Sequence, residues 1–341
     1  FSYSKSEARL NKFKKKRKRN SLMKKNILIT GGFGLLAGSI IKCLSKKNFN
    51  IISLDKKKNF YRHKDKKKLN YKVILGDFKN KKNFLNILKK YKINIVFHLG
   101  ATTQVLNSLQ NPHETYENNI MGTINILECI RSLNKKIIMI YASSDKAYGE
   151  LGLKKYKETD KLNGLYPYDV SKSASDLICQ SYSFTYGLSV GILRCGNLYG
   201  PGDYNLKRIV PETIINTLRN KKLKIRSNGK LLRDYLYVDD AAQAYCLVMM
   251  KLLKEKKKKI KIYNVSSNFN TSVLSLVKKI QYKINKKFNY SVTKTSVKEI
   301  KKQKMNFSKI SKDLNWYPKT NLEIGLSKTI SWYEKNLPLF K

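Results

Sequence analysis

The sequence contains few of the residues that build metal centres or disulfide frameworks. It has 3 histidines and 5 cysteines among 341 residues, and the cysteines form no CxxC pair (Cys43, Cys129, Cys179, Cys195 and Cys246). Scattered cysteines without a histidine cluster predict no metal site and are typical of a reducing compartment. No apolar run is long enough to cross a membrane or to act as a secretory signal. We therefore expect a cytoplasmic protein with no metal and no membrane partner.

Acidic residues are also scarce, with 23 against 71 lysines and arginines, and the formal net charge is +48. Such an excess ordinarily indicates a nucleic-acid partner. However, only 10 of these residues are arginine, the better donor to phosphates and bases, and the 61 lysines are spread over almost every segment. This distribution is typical of a compositional bias. We therefore expect no specific nucleic-acid partner.

The order of apolar segments predicts the fold class. Residues 1–22 are basic and lack apolar periodicity, which predicts a disordered extension. Apolar strands and amphipathic helices then alternate, with strands predicted at 26–30, 50–55, 71–77, 93–100, 136–144 and 188–194, and helices at 34–45, 113–132 and 167–187. This alternation predicts an α/β protein with a Rossmann-type, doubly wound parallel sheet. We assign 23–196 to this domain and 197–341 mainly to a smaller C-terminal lobe that binds substrate.

A glycine-rich loop directly follows the first predicted strand, in TGGFGLLAG at 30–38. Gly31, Gly34 and Leu35 place free main-chain amides at a helix N-terminus, where a diphosphate binds favourably. Asp55 ends the second strand, at the position from which a carboxylate accepts both ribose hydroxyls, so NAD is predicted rather than NADP. The third glycine of the motif is either replaced by Ala37 or displaced to Gly38.

The next two predicted strands also end in residues that suit a dinucleotide. Asp77, with Phe78 after it, closes the third strand, and its carboxylate is predicted to accept from the adenine amino group. Leu99 and Ala101 follow the fourth strand and are predicted to face the cofactor. Because parallel strands end at the same sheet edge, these residues and the glycine loop predict one cofactor site.

The stretch from Tyr141 to Lys172 supplies the candidate catalytic residues. Tyr168 and Lys172 are four residues apart and share one helix face, and a nearby ammonium lowers a phenol's pKa towards neutrality. The YxxxK pattern also occurs at Tyr282 and Tyr290, so the pattern alone is weak. Ser144, Asp145 and Lys146 stand at the predicted carboxyl end of the strand before Tyr168, and they supply a hydroxyl and a second acid/base pair.

These segments together resemble the extended short-chain dehydrogenase/reductase family, from Met23 to about Tyr333. The resemblance rests on several ordered motifs: TGGFG, HLGA, NNIMGT, SSDKAYG, YPYDVSK, RCGNLYGPGD and RDYLYVDD. It implies a homodimer that acts on a nucleotide-activated sugar with bound NAD. It also implies that Asn197 and Arg233 contact the nucleotide diphosphate, with Arg208 and Arg226 as weaker candidates.

The Ser-Asp-Lys triplet is most similar to the CDP-glucose 4,6-dehydratase branch of that family. The resemblance implies that Tyr168 takes the O4 proton and that Asp145 protonates the departing C6 hydroxyl. Lys146 stands where other dehydratases carry the glutamate that removes the C5 proton, so that role stays open. Lys146 acts as a base only if burial near Lys172 and the nicotinamide cation lowers its pKa. An NDP-sugar 4-epimerase, which needs neither Asp145 nor Lys146, and a catalytically idle paralogue are the alternatives.

Overall fold

Seven parallel strands form the central sheet in the computed structural model of this chain, which describes residues 24–56, 69–133, 136–152, 154–255, 260–286, 289–293 and 300–340. The strands are numbered along the chain, and their order across the sheet is β3 (Lys72–Leu75), β2 (Phe49–Asp55), β1 (Lys25–Thr30), β4 (Ile95–His98), β5 (Ile138–Ser144), β6 (Ser189–Cys195) and β10 (Ile260–Val265). The order of the first six is that of the Rossmann fold. The predicted fold class is confirmed.

The helices lie on both faces of this sheet and in a second lobe. They are α1 (Leu35–Leu44), α2 (Lys81–Lys90), α3 (Val105–Gln110), α4 (Pro112–Tyr116), α5 (Gly122–Ser132), α6 (Pro167–Tyr186), α7 (Ile209–Leu218), α8 (Val238–Lys254), α9 (Val273–Ile284), α10 (Ser308–Leu314) and α11 (Leu322–Asn336). Alternate residues of β1 show the two layers. Ile27 and Ile29 pack in the apolar cluster that includes α1 and α8, whereas Leu28 packs in the cluster that includes α2 and α5. Burial on both faces explains why β1 is a continuous apolar run.

The helix predicted at 113–132 is interrupted. The chain forms α4, then one π-helical turn over Glu117–Met121, and then α5. The amide side chain of Asn119 lies in this turn and bonds outside the helix, with Oδ1 accepting from Thr102 N and Nδ2 donating to Thr102 O and Ser171 Oγ. Such turns often occur where a helix meets a functional site.

Two small sheets and three helices build the second lobe. One sheet contains β7 (Asn197–Tyr199), β9 (Leu232–Tyr237) and β11 (Asn270–Ser272), and the other pairs β8 (Leu223–Ile225) with β12 (Tyr290–Val292). Residues of α7, α9 and α11 form its main apolar cluster with buried tyrosines of β7 and β9. The tyrosines account for much of this lobe's packing area.

The predicted domain boundary at 196/197 does not separate the lobes in space. α8 packs on α1, and β10 pairs with β6 at the edge of the large sheet. Both elements lie within 197–341 but belong to the first domain. The predicted disordered extension at 1–22 lies outside the described residues. Within the described residues, no helix is long and apolar enough to span a bilayer.

Candidate active site

A cavity of about 740 Å³ opens at the carboxyl edge of the central sheet. The ends of β2, β4, β5 and β6 contribute to its wall, and so do the loop before α1 and the start of α6. The order of the strands reverses between β1 and β4, which is where ligands bind in open α/β sheets. The predicted cofactor loop and the predicted catalytic residues therefore share one cavity.

The glycine loop has the geometry that a phosphate cradle needs. Gly31 has a φ of +65°, and a Cβ atom at this residue would lie 2.8 Å from the Cα atom of Gly100. Only glycine fits such an approach without strain. Gly34 is the N-cap of α1 and no side chain caps that helix, so its first amides are free to bind an anion.

Ala37 takes the place of the third glycine. It is 0% exposed, packs in the core cluster beneath α1 and lines the cavity, whereas Gly38 is half-buried. The third glycine of the motif is thus replaced by Ala37 rather than displaced to Gly38. The methyl group of Ala37 packs against the sheet.

Asp55 lines the cavity, as predicted for the residue that holds the ribose. Its Oδ2 accepts from Phe33 N at 3.0 Å and its Oδ1 accepts from Lys56 N at 2.8 Å, which hold the carboxylate beside the glycine loop. The Lys56 ammonium pairs with Asp77 Oδ2 at 3.2 Å. The positive charge of Lys56 is therefore balanced by Asp77 and does not offset the negative charge of Asp55.

The role predicted for Asp77 stays a prediction. Its Oδ1 accepts from Lys79 N and its Oδ2 pairs with Lys56, and the residue does not line the cavity. Phe78, Leu99 and Ala101 do line the cavity. A Cβ atom at Gly100 would lie 2.6 Å from the Phe78 ring, so the ring packs directly on that loop.

The described residues thus fit a dinucleotide. The diphosphate would meet the free amides of α1, and the ribose would meet Asp55. Phe78, Leu99 and Ala101 would form apolar walls for the rings. Within the described part of the chain, no group of three or more histidine, cysteine or carboxylate side chains is arranged to hold a metal ion.

All five predicted catalytic residues line the cavity: Ser144, Asp145, Lys146, Tyr168 and Lys172. The Ser144 hydroxyl donates to Asp145 Oδ1 at 3.0 Å, and its oxygen accepts from Lys146 N at 3.2 Å. It also lies within hydrogen-bonding reach of the Tyr168 phenol. Asp145 Oδ2 is buried and has no hydrogen-bond partner among the described residues.

The expected lowering of the Tyr168 pKa is not produced by the protein alone. Burial raises the pKa of Tyr168 well above its usual value, and only the Ser144 hydrogen bond and the charge of Arg208 act in the opposite direction to a notable extent. Lys172 donates to Ala142 O at 2.8 Å, and burial lowers its pKa to about 8. The loss of water around the phenol therefore outweighs the effect of the lysine.

Asp145 and Lys146 form an opposite-charge pair at the cavity wall. Burial raises the pKa of Asp145, and the charges of Lys146 and Arg233 act in the opposite direction together with the Ser144 hydrogen bond. A raised pKa favours the protonated acid, which can donate a proton. Lys146 is buried, and its positive charge acts to lower the pKa of Asp145 and of Asp169. Its role in removing the C5 proton stays open.

The four predicted substrate residues separate into two groups. Asn197 and Arg208 line the cavity. Asn197 Nδ2 is buried without a hydrogen-bond partner among the described residues, and Arg208 pairs with Asp203 at 3.1 Å.

The other two candidates, Arg226 and Arg233, do not line the cavity, and their contact with substrate stays a prediction. Arg226 pairs with Glu212 at 2.8 Å and does not line the cavity. Arg233 is buried in β9, donates to Leu232 O and acts electrostatically on Asp145 instead of lining the cavity.

Sequence reasoning missed Thr103, Glu114, Asn118 and Asn205, which also line the cavity. Asn118 Oδ1 accepts from Lys56 Nζ, and its Nδ2 donates to Thr102 Oγ1. Two successive asparagines inside an otherwise apolar helix were the available signal for Asn118, because such residues compete with helical hydrogen bonding. Thr103 and Asn205 lie in loops, where no periodicity marks a residue.

A sequence model described as GDP-mannose 4,6 dehydratase matches residues 28–329, which is most of the chain. The chain belongs to this family. A dTDP-D-glucose 4,6-dehydratase of Dictyostelium discoideum is 32% identical and is matched over 93% of this chain and 83% of its own length.

Solved structures of family relatives have the same fold. The dTDP-glucose 4,6-dehydratase of Bacillus anthracis, solved in complex with NAD, is 28% identical with a TM-score of 0.81, covering 92% of this chain and 97% of its own. The UDP-glucose 4-epimerase of Thermotoga maritima, solved with UDP-glucose, is 26% identical with a TM-score of 0.80, covering 92% and 99%. Solved structures of both reaction types considered from the sequence therefore resemble this chain.

Proposed function

We propose that this family member is an NAD-dependent 4,6-dehydratase that converts a nucleotide-activated hexose into its 4-keto-6-deoxy product. The observation that carries the proposal is Asp145. This buried acid contacts Ser144, lines the cavity together with Tyr168 and has an unpartnered Oδ2. A 4-epimerase has no use for an acid at this place, whereas a dehydratase must protonate a departing hydroxyl.

Each residue has one task in the proposed reaction. Tyr168 takes the O4 proton while Ser144 holds the hydroxyl in place. When bound, NAD accepts the C4 hydride and returns it to C6. Asp145 gives its proton to the C6 hydroxyl, which leaves as water. The C5 proton passes to a general base, a role for which no residue is assigned. Lys146, as an ammonium, stabilises the negative charge that develops when the C5 proton departs.

The proposed substrate is a glucose nucleotide bound between the two lobes. Arg208 and the unpartnered amide of Asn197 support binding of the diphosphate, since charge-assisted hydrogen bonds suit phosphate oxygens. The Ser144–Asp145–Lys146 triplet favours CDP-glucose by its resemblance to that branch. The names of the relatives give dTDP-glucose and UDP-glucose for other members.

Incubation with CDP-, dTDP-, GDP- and UDP-hexoses, followed by mass analysis of the products, tests the proposed function. The expected result is loss of one water from one of these nucleotides, with CDP-glucose the first to try. An unchanged mass for all four would contradict the proposal.

The second candidate is an NDP-sugar 4-epimerase, favoured by the Thermotoga maritima structure. It shares Ser144, Tyr168, Lys172 and the cofactor residues. A product of unchanged mass but altered configuration at C4 would support it, and no reaction with any nucleotide sugar would support the idle paralogue.

We expect the bound cofactor to be NAD, because Asp55 would repel a 2′-phosphate and Lys56 is balanced by Asp77. Asp55→Asn keeps an acceptor oxygen but removes the charge, so NAD binding should weaken by about tenfold or more, the magnitude of a charge-assisted hydrogen bond. Titration calorimetry measures this. Glu117→Gln, which removes an exposed charge paired with Lys79, should leave the affinity unchanged. Extraction of NADP alone from purified protein would disprove the assignment.

We also propose a homodimer formed by α6 and its neighbours. Leu177 and Phe184 are 51% and 73% exposed, and their seven-residue spacing places them on one face of α6. Leu106 in α3 and Met121 in the π turn are also exposed beside α6. An apolar face of this kind is stabilised when the same surface of a second copy covers it.

Asp substitution of both Leu177 and Phe184 is expected to convert the dimer into a monomer, because two charges would have to be buried in the interface. Light scattering at micromolar concentration measures the mass. Ile324→Asp, at an exposed apolar residue of α11, is the control and should leave the mass unchanged. A monomer mass for the unmutated protein would contradict the proposed dimer.

A further inference from the structure

Tyr148 is a buried tyrosine next to the active site that has no task in the proposed reaction. It ends the single 3₁₀ turn Asp145–Tyr148, which directly follows β5 and begins with Asp145. The residue is 0% exposed and does not line the cavity. Its hydroxyl accepts from Arg194 Nη1 at 2.8 Å and donates to Asn264 Oδ1 at 2.7 Å. The hydroxyl is therefore paired on both sides inside the protein.

Arg194 extends these hydrogen bonds to the helix that carries Tyr168. Its guanidinium is buried on β6 and binds both carboxylate oxygens of Asp176, from Nε at 2.9 Å and from Nη2 at 3.0 Å. Asp176 lies on α6, four residues after Lys172 and eight after Tyr168. A bidentate pair of this kind fixes the geometry of both partners. The turn is thus joined to α6 by a continuous chain of buried hydrogen bonds.

Asn264 holds the other side of the Tyr148 hydroxyl. It lies in β10 and is 0% exposed. Its Nδ2 donates to Tyr156 O at 2.9 Å and to Asn306 O at 3.2 Å. Two main-chain carbonyls therefore set the orientation of this amide, and Oδ1 is directed towards Tyr148.

The connection between the turn and α6 matters because both act on one sugar. Tyr168, on α6, takes the O4 proton, whereas Asp145, on the turn, protonates the C6 hydroxyl. A misplacement of about 1 Å between such groups can cost about 100-fold in rate. Ser144 is held independently, since it ends β5 and pairs with Cys195 of β6. A shift of the turn would therefore displace Asp145 and leave the residues of C4 oxidation in place.

We propose that Tyr148 is a positioning residue for dehydration: through Arg194 and Asp176, its hydroxyl fixes the turn that carries Asp145 relative to Tyr168 on α6. This inference rests on the proposed function. Tyr148 acts through the turn and does not touch the substrate.

The test is Tyr148→Phe in the holoenzyme, with C4 oxidation and dehydration measured separately in a single turnover. Phenylalanine keeps the buried ring, and Ala147 O still accepts from Ser173 Oγ of α6 at 2.7 Å, so the turn should stay folded but less precisely placed. Dehydration should slow by about 10–100-fold while the rate of C4 oxidation is unchanged. Reduced nicotinamide should therefore accumulate before the 6-deoxy product appears.

Tyr263→Phe is the matched control. Tyr263 precedes Asn264 in β10, is 0% exposed and does not line the cavity, and its hydroxyl donates to Asp313 Oδ2 at 3.0 Å. This variant also removes a tyrosine hydroxyl that is hydrogen-bonded inside the protein, but the lost bond does not involve the turn. Both steps should keep their unmutated rates.

Arg194→Lys is the second variant. Its ammonium keeps the charge opposite Asp176 but cannot reproduce the bidentate pair together with the bond to Tyr148. The same selective slowing of dehydration is expected.

Equal slowing of both steps in Tyr148→Phe, or dehydration at the unmutated rate, would overturn the inference. If this variant does not fold, the same two outcomes in Arg194→Lys decide, and failure of both variants to fold would also overturn it, because the hydrogen bonds would then serve stability. Failure of the proposed function would appear separately, as no 4-keto-6-deoxy product from the unmutated protein, and would remove the inference as well.

Discussion

Tyr168→Phe is expected to abolish C4 oxidation, with a rate loss of about 10²–10⁴, the usual contribution of a general base. Phenylalanine keeps the buried ring but cannot accept the O4 proton. Because oxidation is the first step, no reduced nicotinamide should form, and no later product either. Single-turnover absorbance with a nucleotide hexose measures this directly.

Tyr282→Phe is the matched control. Tyr282 lies near the end of α9 and repeats the YxxxK pattern with Lys286, but it is 81% exposed and does not line the cavity. Tyr282→Phe should retain full activity, because it removes a tyrosine hydroxyl from the same sequence pattern but outside the cavity. A Tyr168→Phe enzyme that oxidised its substrate at the unmutated rate would show that another group takes the proton.

Asp145→Asn is expected to separate oxidation from dehydration. Asparagine keeps an acceptor for the Ser144 hydroxyl, and Tyr168 and Lys172 are unchanged, so the C4 hydride is still transferred. The amide cannot donate the proton that the C6 hydroxyl needs, and water loss should slow by about 10²–10⁴. Absorbance of reduced nicotinamide should therefore accumulate in a single turnover without any 6-deoxy product.

The same step should depend on pH in the unmutated protein. Burial raises the pKa of Asp145, so the proton it delivers is present below that raised pKa and is lost as the pH rises through it. Glu323→Gln removes an exposed carboxylate that pairs with Lys279, and it should leave both steps and their pH dependence unchanged. Dehydration at the unmutated rate in Asp145→Asn would remove the main reason for preferring a dehydratase over an epimerase.

The parts of this fold that the sequence predicts are those with strong local patterns. β1, β2, β5 and β6 are apolar runs that end in glycine, carboxylates or hydroxyls, and a parallel sheet brings such ends to one edge. That rule alone places Gly31, Asp55 and Ser144 around the same cavity. Their shared location was therefore predictable without any knowledge of side-chain contacts.

The parts that were not predictable depend on partners distant in the sequence. β10 returns to the large sheet from the second lobe, and nothing local marks its strand partner, β6. Arg226 looks like a phosphate ligand until Glu212 is placed beside it. Asp169 has the appearance of an ordinary acid in the first turn of a helix, where negative charge is favourable. Only the packing of α6 against the turn at Asp145–Tyr148 shows that it is buried.

The pKa values of the candidate catalytic residues were the hardest property to predict from the sequence. The spacing of Tyr168 and Lys172 correctly placed both in the cavity, but their pKa values depend on burial, which spacing does not give. A lysine four residues away lowers a phenol's pKa only where it outweighs the loss of water. In this protein the loss of water is the larger effect.

The most direct test of the central claim follows the hydrogen of C4. A nucleotide hexose that carries deuterium at C4 is converted by the protein, and the product is examined by NMR. If the protein is a 4,6-dehydratase, deuterium should appear in the new methyl group at C6, because the hydride removed from C4 returns to C6. Deuterium that remains at C4 in a product of unchanged mass would contradict the account and identify an epimerase.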